Sequence, residues 1–172
     1  MKKALIVVSI LFGILISIDG QVDDKIFTIY LIRHSEKGVS SDNPGDPPLT
    51  HCGELRSENL VTIFGDIAFE RIYSSDYVRT RATAKPIAES QEIDIELYNP
   101  QKLKDLSLLL LSRGEDVLVV GHSNTTSILA GMLIGEDLKP FDDSLYDQIY
   151  QVVIFNGSGR IHILNQGFTC EE

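Results

Sequence analysis

Residues 26–37 read IFTIYLIRHSEK, an apolar run that ends abruptly in Arg33 and His34. The run is rich in β-branched and aromatic residues, which favours a β-strand. The simplest interpretation of a basic pair at a strand end is that the two side chains lie in solvent and have no function. A binding site is the alternative, and the rest of the sequence decides between the two.

Five further runs have the character of strands, at 71–74, 93–98, 117–121, 149–155 and 160–164. Helices are predicted between them: 51–65 after Thr50 as N-cap, 76–90 opening at Asp76, and 100–114 ending at Gly114. Strand and helix alternate through Gly131, which predicts an α/β fold. We expect a three-layer α/β/α sandwich with a mostly parallel central sheet. The segment NGSG, 156–159, is predicted to join the last two strands as a hairpin.

The first 20 residues have the plan of a secretory signal. Lys2 and Lys3 precede an uncharged apolar run over residues 4–18. This run is shorter than the roughly 20 residues that a membrane-spanning helix needs. We therefore divide the chain into a signal peptide, 1–20, and a domain, 21–172. An uncleaved signal anchor and a buried helix are the alternatives. The expected location is outside the cytoplasm, either periplasmic or anchored to the membrane.

Composition and charge narrow the possible functions. The 172 residues are 43% hydrophobic and 23% charged, which is typical of one globular domain. The formal net charge of -10 argues against a nucleic-acid partner, because such partners are bound by basic surfaces. An anionic substrate would need a local cluster of cations. Cys52 and Cys170 permit one disulfide in an exported protein, but their spacing does not show whether they pair, and it fits no zinc site.

Three strand ends carry residues that are uncommon there. The first strand leads into Arg-His-Ser at 33–35, and the second ends at 74–75 with Arg79 one turn into the next helix. The strand 117–121 leads into His-Ser-Asn at 122–124. Ligands of parallel sheets bind beyond the carboxyl ends of the strands. If these strands are neighbours, two histidines and two arginines converge, and such a set suits phosphate.

Each of these residues also has a plain structural interpretation. His122 alone would be interpreted as a core histidine, and Arg79 alone as a surface charge. His51, at a helix start, and His162, in the last strand, are interpreted as structural. The occurrence of histidines and arginines at three strand ends together favours a binding site over these separate structural interpretations. The segment GHSNT has Thr125 where the serine hydrolase motif needs glycine, which argues against that class.

Four segments together resemble the histidine phosphatase superfamily, which has the phosphoglycerate-mutase-like fold. They are LIRHSEK (31–37), DPPLTHCGELRSENL (46–60), IYSSDYVRTRATAKPIAES (72–90) and VLVVGHSNTTSIL (117–129). The resemblance implies that His34 is the nucleophile and that Arg33 binds phosphate beside it. It places the second arginine at Arg79, in an S-x-x-x-R-x-x-x-T-A pattern that begins at Ser75. The second histidine falls on His122.

The resemblance, to the small phosphatase branch, implies a phosphomonoester hydrolase that forms a phosphohistidine on His34 and needs no metal or other cofactor. The substrate would be a small phosphorylated molecule, and no obligate protein partner is inferred. We expect a neutral His34 held by a backbone carbonyl, a protonated His122, and substrate contacts from Ser35 and Asn124. A phosphohistidine-protein phosphatase and a non-catalytic phosphate-binding module are the alternatives.

The general acid that would protonate the leaving oxygen is left unassigned. The candidates are Glu36, Asp46, Asp94, Glu96 and Asn99, of which the last is an amide where related sequences offer a carboxylate. A substrate with a good leaving group would need no acid.

Overall fold

A six-stranded mixed sheet forms the centre of the structure, a computed structural model that describes residues 25–40 and 42–170. Its strands are β1 (Ile26–Arg33), β2 (Arg71–Ser75), β3 (Ile95–Tyr98), β4 (Val117–Gly121), β5 (Gln148–Phe155) and β6 (Ser158–Asn165). The order across the sheet is β3-β2-β4-β1-β5-β6. The pairs β1–β4, β2–β4 and β2–β3 are parallel, whereas β5 lies antiparallel to both β1 and β6.

Helices cover both faces of the sheet. They are α1 (His51–Phe64), α2 (Val78–Ser90), α3 (Leu103–Arg113) and α4 (Thr126–Ile134). Successive residues of a strand point to opposite faces, so Ile29 and Leu31 pack in one core with α3 and α4. Tyr30 and Ile32 pack in a second core with α1 and α2. The predicted α/β/α sandwich is confirmed.

Helix α2 begins at Val78, two residues later than the predicted start at Asp76. The Val78 N–H donates to the two carboxylate oxygens of Asp46, at 2.9 and 3.0 Å. The capping carboxylate therefore comes from a loop 32 residues earlier in the chain. Asp76 is ion-paired with Arg81 instead. A local pattern could not show this, because the cap depends on a tertiary contact.

Other boundaries also differ from the predictions, and α3 begins at Leu103 instead of residue 100. Strand β3 begins at Ile95 and not at residue 93, because the chain turns at Glu92, whose φ is 56°. The hairpin turns at Asn156 and Gly157, where φ is 49° and 75°, so that Ser158 already pairs with Phe155. Asn-Gly suits such a two-residue turn, since both residues tolerate positive φ.

Cys52 and Cys170 form a disulfide, with their Cα atoms 5.7 Å apart. The bond joins the first turn of α1 to the tail that follows β6. The spacing of the cysteines left this pairing open, and the fold decides it.

No helix within residues 25–40 and 42–170 is long and apolar enough to cross a membrane. The predicted signal peptide, 1–20, lies outside the described residues.

Candidate active site

The carboxyl ends of β1, β2 and β4 meet at one edge of the sheet. Strand β4 lies between the other two, with Arg33 in register with Gly121 and Ser74 in register with Val120. The residues that follow these strands line a cleft of about 740 Å³, here called the cationic cleft. The strands are neighbours, as the sequence argument required. The structure thus brings together all four predicted catalytic residues, Arg33, His34, Arg79 and His122.

His34 is held in one orientation by the backbone. Its backbone N–H donates to the Gly121 carbonyl at 2.9 Å, and its ring Nδ1 lies 2.7 Å from the Ser35 carbonyl. A carbonyl can only accept, so Nδ1 carries the proton and Nε2 keeps its lone pair. Burial lowers the pKa of His34 to about 3, and the charge of Arg33 acts in the same direction. The ring is therefore neutral at physiological pH, as a nucleophile requires.

Arg33 is buried and fastened by the segment between α4 and β5. Its Nη1 donates to the carbonyls of Asp143, at 2.6 Å, and Leu145, at 3.0 Å. The guanidinium carbon lies 4.0 Å from the centre of the Tyr146 ring. These contacts fix the plane of the guanidinium, so its position does not depend on a bound ligand.

Arg79 is also buried, and it is oriented by the loop before α1. Its Nη1 donates to Asp46 Oδ1 at 3.1 Å, and its guanidinium carbon lies 4.5 Å from the centre of the Tyr77 ring. The Asp46 carboxylate therefore orients both Arg79 and the first turn of α2.

The Nε atoms of Arg33 and Arg79 are buried and have no hydrogen-bond partner within residues 25–40 and 42–170. Buried donors nearly always have an acceptor, so these two need an explanation. Both arginines line the cationic cleft, and phosphoryl oxygens are favoured acceptors for guanidinium groups. The two unpartnered donors point to an oxyanion site.

His122 is oriented by a chain of hydroxyl groups. The Thr80 hydroxyl donates to the Ser75 carbonyl at 2.7 Å, and the Ser75 hydroxyl donates to Thr80 Oγ1 at 3.1 Å. With its own proton committed, Ser75 Oγ accepts from His122 Nε2, which lies 2.9 Å away. A neutral His122 therefore carries its proton on Nε2 and keeps a lone pair on Nδ1.

The expected protonation of His122 belongs to phosphoryl transfer and stays a prediction. Burial lowers the pKa of His122 to about 4, and the charges of Arg79 and Arg33 lower it as well. A phosphate dianion beside the ring would oppose these effects and favour the imidazolium. His122 thus differs from the arginines, whose charge is permanent.

Ser35 departs from the predicted substrate contact. Its side chain is buried and hydrogen-bonded to the Ser57 hydroxyl at 3.0 Å, and its N–H donates to Thr83 Oγ1 at 2.9 Å. Ser35 therefore supports the loop behind His34. Asn124 is exposed and lines the cleft, as predicted for a substrate contact.

The two remaining histidines, His51 and His162, are exposed and do not line the cationic cleft. Their placement agrees with the structural interpretation.

The carboxylates considered as general acids are engaged elsewhere. Glu36 receives hydrogen bonds of 2.6 to 2.9 Å from Arg56, and Glu96 is ion-paired with Arg71 and Arg113. Asp46 is bound to Arg79 and α2. The fourth carboxylate, at position 94, and the amide Asn99 do not line the cleft, and Asn99 Oδ1 accepts from the Gln101 N–H at 2.9 Å.

Two carboxylates that sequence reasoning did not consider, Asp142 and Asp143, lie at the rim of the cleft. Asp142 Oδ1 accepts from the backbone N–H and the hydroxyl of Ser144, and these hydrogen bonds lower the pKa of Asp142. Asp143 accepts from the Ser123 hydroxyl and lies 3.8 Å from the Arg33 guanidinium. Both carboxylates are therefore placed as acceptors and not as proton donors.

Comparison with known proteins shows which family the chain resembles. A profile of the histidine phosphatase superfamily (branch 1) matches residues 29–108. The probable phosphoglycerate mutase GpmB of Escherichia fergusonii is 34% identical over 101 residues, which cover 56% of this chain. The chain spans about half the length of these curated relatives, 46% in this case. Over residues 29–108, a little under half of its 172 residues, the chain is similar to the histidine phosphatase superfamily.

Solved structures of several phosphatases share the fold at low identity. The α-ribazole phosphatase of Shigella flexneri has a TM-score of 0.66 and 17% identity, covering 84% of this chain and 100% of its own. The protein histidine phosphatase SixA, in complex with tungstate, has a TM-score of 0.60 and 18% identity, covering 81% and 97%. The histidine phosphatase profile includes Arg33, His34 and Arg79 but ends before His122. The parallel pairing of β4 with β1 brings His122 beside them.

Two aromatic residues of the cationic cleft were missed in the sequence. The Tyr77 ring lies 4.9 Å from the His122 ring, and the Tyr146 ring lies 6.1 Å from the His34 ring. Tyr77 stands inside a motif segment, two residues before Arg79, where an aromatic residue could have been noticed. Tyr146 lies in an irregular segment with no periodic pattern, so no local signal marks it.

Proposed function

We propose that this chain is a phosphomonoester hydrolase that forms a phosphohistidine on His34. One observation carries the proposal: a neutral His34 with a free Nε2 lines a cleft beside two buried arginines whose Nε donors have no partner. A non-catalytic phosphate-binding module would need the arginines but not a ring held in the nucleophilic tautomer.

The first step transfers the phosphoryl group to the protein. His34 Nε2 attacks phosphorus, a P–N bond forms, and the bond to the leaving oxygen breaks with its electron pair on that oxygen. Arg33 and Arg79 stabilise the charge on the equatorial oxygens. His122 donates to the same oxygens when the phosphoryl dianion has raised its pKa. The Ser35 carbonyl accepts from Nδ1 throughout and stabilises the ring as it becomes positive.

The second step returns the protein to its starting state. Water attacks the phosphorus of the phosphohistidine, the P–N bond breaks, and its electron pair returns to His34 Nε2. Inorganic phosphate is released. The positive charge that stabilises the transferred phosphoryl group is supplied by Arg33 and Arg79.

Hydrolysis is favoured over a mutase reaction. A mutase must keep its phosphohistidine away from water until the substrate has reoriented, which calls for segments that close the pocket. The interval between Arg79 and His122 is occupied by the rest of α2, β3, α3 and β4 with short connections. This leaves little chain for a lid. A phosphohistidine-protein phosphatase would also have short connections and no lid, and it remains the alternative.

We propose further that the protein acts outside the cytoplasm after its signal segment, 1–20, directs export, whether or not that segment is cleaved. The paired cysteines support this proposal, because disulfides persist mainly in oxidising compartments. Cell fractionation tests it: the protein is expected outside the cytoplasm, shortened by about 20 residues if the signal is cleaved. Full-length protein in the soluble cytoplasmic fraction would contradict export.

The nucleophile is tested with His34→Ala and the matched controls His51→Ala and His162→Ala. We expect the first change to abolish hydrolysis of p-nitrophenyl phosphate, with the circular dichroism spectrum unchanged, and the controls to stay active. Vanadate should inhibit the wild type. Rapid quenching should trap a phosphoryl adduct that survives alkali and is lost in acid. An acid-stable adduct would contradict the assignment.

The reaction type is tested with 3-phosphoglycerate, supplied with and without the bisphosphorylated primer. A phosphatase should release inorganic phosphate in both cases or leave this ester untouched. Rapid formation of 2-phosphoglycerate with little inorganic phosphate would instead show a mutase.

A further inference from the structure

The tail that follows β6, residues 166–170, runs from the end of the sheet to the first turn of α1. Gly167 has a φ of 65°, which glycine adopts readily, so the chain turns there. The side chains on either side of this turn, Gln166 and Phe168, contact different parts of the protein. The disulfide between Cys170 and Cys52 ends the tail. The tail is thus fastened by β6 at one end and by the disulfide at the other.

Before the turn, the tail contacts the segment that holds Arg33. Gln166 Nε2 donates to the Tyr146 carbonyl at 3.3 Å, and the Gln166 N–H donates to the Asp147 carbonyl at 2.8 Å. The Tyr146 ring in turn lies against Arg33, with its centre 4.0 Å from the guanidinium carbon. Gln166 therefore supports, through Tyr146, an arginine whose buried Nε has no partner in the described part of the chain.

After the turn, the tail contacts the support of the loop that carries the nucleophile. The Phe168 ring lies 4.9 Å from the guanidinium carbon of Arg56, and buried Arg56 donates to both carboxylate oxygens of Glu36. Glu36 is two residues from His34 in the chain. A ring over one face of the guanidinium keeps water from that side, and an ion pair is stronger where water is excluded. Phe168 therefore supports the loop after His34.

The disulfide decides whether these two contacts persist. One hydrogen bond and one ring contact are weak on their own, and a chain end loses conformational entropy when it is held in place. Chain ends are ordered mainly where they are tied down. The bond from Cys170 to Cys52 ties the far end of the tail to α1, so that Gln166 and Phe168 stay beside their partners. Breaking the bond should release the tail from both contacts.

We propose, on the basis of the phosphatase activity proposed above, that the disulfide-fastened tail positions the cationic cleft and makes its activity depend on redox state. With the bond formed, Gln166 and Phe168 keep Arg33 and the loop after His34 in the geometry that binds the phosphoryl group. A dithiol reverses this: it is oxidised to its own disulfide, and two electrons and two protons convert the bond into two thiols. The released tail then lowers phosphate affinity and turnover.

The experiment compares the oxidised wild type, the wild type reduced with dithiothreitol, and the double variant Cys52→Ser with Cys170→Ser. Calorimetry gives Kd for inorganic phosphate, and hydrolysis of p-nitrophenyl phosphate gives kcat/KM. Both are measured well below the thermal midpoint of every form. Reduction and the double variant should each weaken phosphate binding and lower kcat/KM by about tenfold, because small displacements of positioned groups have effects of at least this size. Dithiothreitol should not affect the double variant.

Three single variants separate positioning from stability. Phe168→Ala removes the contact with Arg56 while the disulfide stays intact, and should weaken phosphate binding several-fold. Thr169→Ala changes the exposed neighbouring residue and should have no effect. Leu110→Ala removes a buried side chain of the core under α3 and keeps every contact of the tail. It should lower the thermal midpoint and leave the phosphate affinity unchanged.

Several outcomes overturn the proposal. One is that reduction lowers the thermal midpoint but changes neither Kd for phosphate nor kcat/KM, so that the bond only stabilises the fold. Another is that Phe168→Ala and Thr169→Ala behave alike, or that Leu110→Ala weakens phosphate binding as much as the double variant does. Phosphate binding that depends on redox state, without hydrolysis of any ester, would support the role of the tail and contradict the phosphatase function. Absence of phosphate binding by the oxidised protein would overturn both.

Discussion

Single side chains in the cationic cleft have their properties set by burial and by a few polar contacts. His34 and His122 have the same chemistry in solution, yet each is held in a different tautomer. The proton of His34 lies on Nδ1, toward a carbonyl, and that of His122 lies on Nε2, toward a hydroxyl. The centres of the two rings lie 5.4 Å apart, and the rings present different nitrogens for reaction.

Ser75 is predicted to be the residue that positions His122. Ser75→Ala removes the acceptor of Nε2–H and leaves a poorly partnered nitrogen, which should lower kcat about 10- to 100-fold. Nitrogen-15 spectra of the imidazoles should show His122 as the Nε2–H tautomer in the wild type and as a mixture in the variant.

The matched control is Ser74→Ala. Ser74 is equally buried and precedes Ser75, but its hydroxyl donates to the Ser75 carbonyl and does not reach His122. Equal losses of activity in the two variants would mean that Ser75 matters only for packing.

The titration of the buried histidines gives a second prediction at this scale. His34 and His122 should stay neutral as the pH falls, and take up protons only near pH 3 and pH 4 respectively. The unfolded chain takes up these protons near the ordinary value of 6.5. Stability should therefore fall as the pH drops below 6.5, until the folded rings also protonate. NMR titration of the imidazole carbons of His34 and His122 would show this. Titration of either buried ring near neutral pH would contradict it.

At the scale of elements, the first turn of α1 is docked on the loop that follows His34. Thr50 caps the helix by accepting from the Gly53 N–H at 3.0 Å, and the Thr50 N–H donates to the Glu36 carbonyl at 2.9 Å. A Cβ atom at Gly53 would lie 2.2 Å from the Glu36 carbonyl oxygen, which is far inside van der Waals contact. Glycine is required here because two backbone segments touch.

Gly53→Ala should therefore push α1 away from the loop behind His34. We expect a loss of about 1–3 kcal/mol in the free energy of unfolding, together with reduced activity. Gly38→Ala is the control, because a Cβ at that position meets its nearest atom at 3.7 Å, an ordinary contact. Thermal unfolding of both variants tests the prediction, and similar midpoints would contradict it.

At the scale of the whole molecule, the tail after β6 ties distant parts of the site together. The Gln166 N–H donates to the Asp147 carbonyl at 2.8 Å, next to the segment that holds Arg33. The Phe168 ring lies 4.9 Å from the guanidinium carbon of Arg56, the partner of Glu36. The disulfide from Cys170 to Cys52 then fastens the tail to α1.

The disulfide should contribute strongly to stability, since it spans a separation of 118 residues. Closing so long a loop restricts the unfolded chain, and such bonds typically contribute about 2–5 kcal/mol. We expect dithiothreitol to lower the midpoint of thermal unfolding of the wild type. The variant with both Cys52→Ser and Cys170→Ser should start at that lower value and not respond to the reductant. An unchanged wild-type midpoint after verified reduction would contradict this role.

The sequence by itself determined the fold class and the positions of the cationic cleft residues. Both depend on short-range patterns, since strands such as β1 and β4 alternate between two cores and the site residues directly follow their ends. The N-cap at Thr50 and the C-cap at Gly114 are local in the same way, and the structure confirms both.

Only the tertiary structure decided the features that need residues far apart in the chain. The start of α2 depends on Asp46, the disulfide depends on where the tail ends, and the plane of Arg33 depends on an irregular segment around Tyr146. The neutral state of His122 follows from burial beside two arginines, which no local pattern records. Such contacts arise only when the elements pack, because pairing, burial and electrostatic fields are properties of the folded chain.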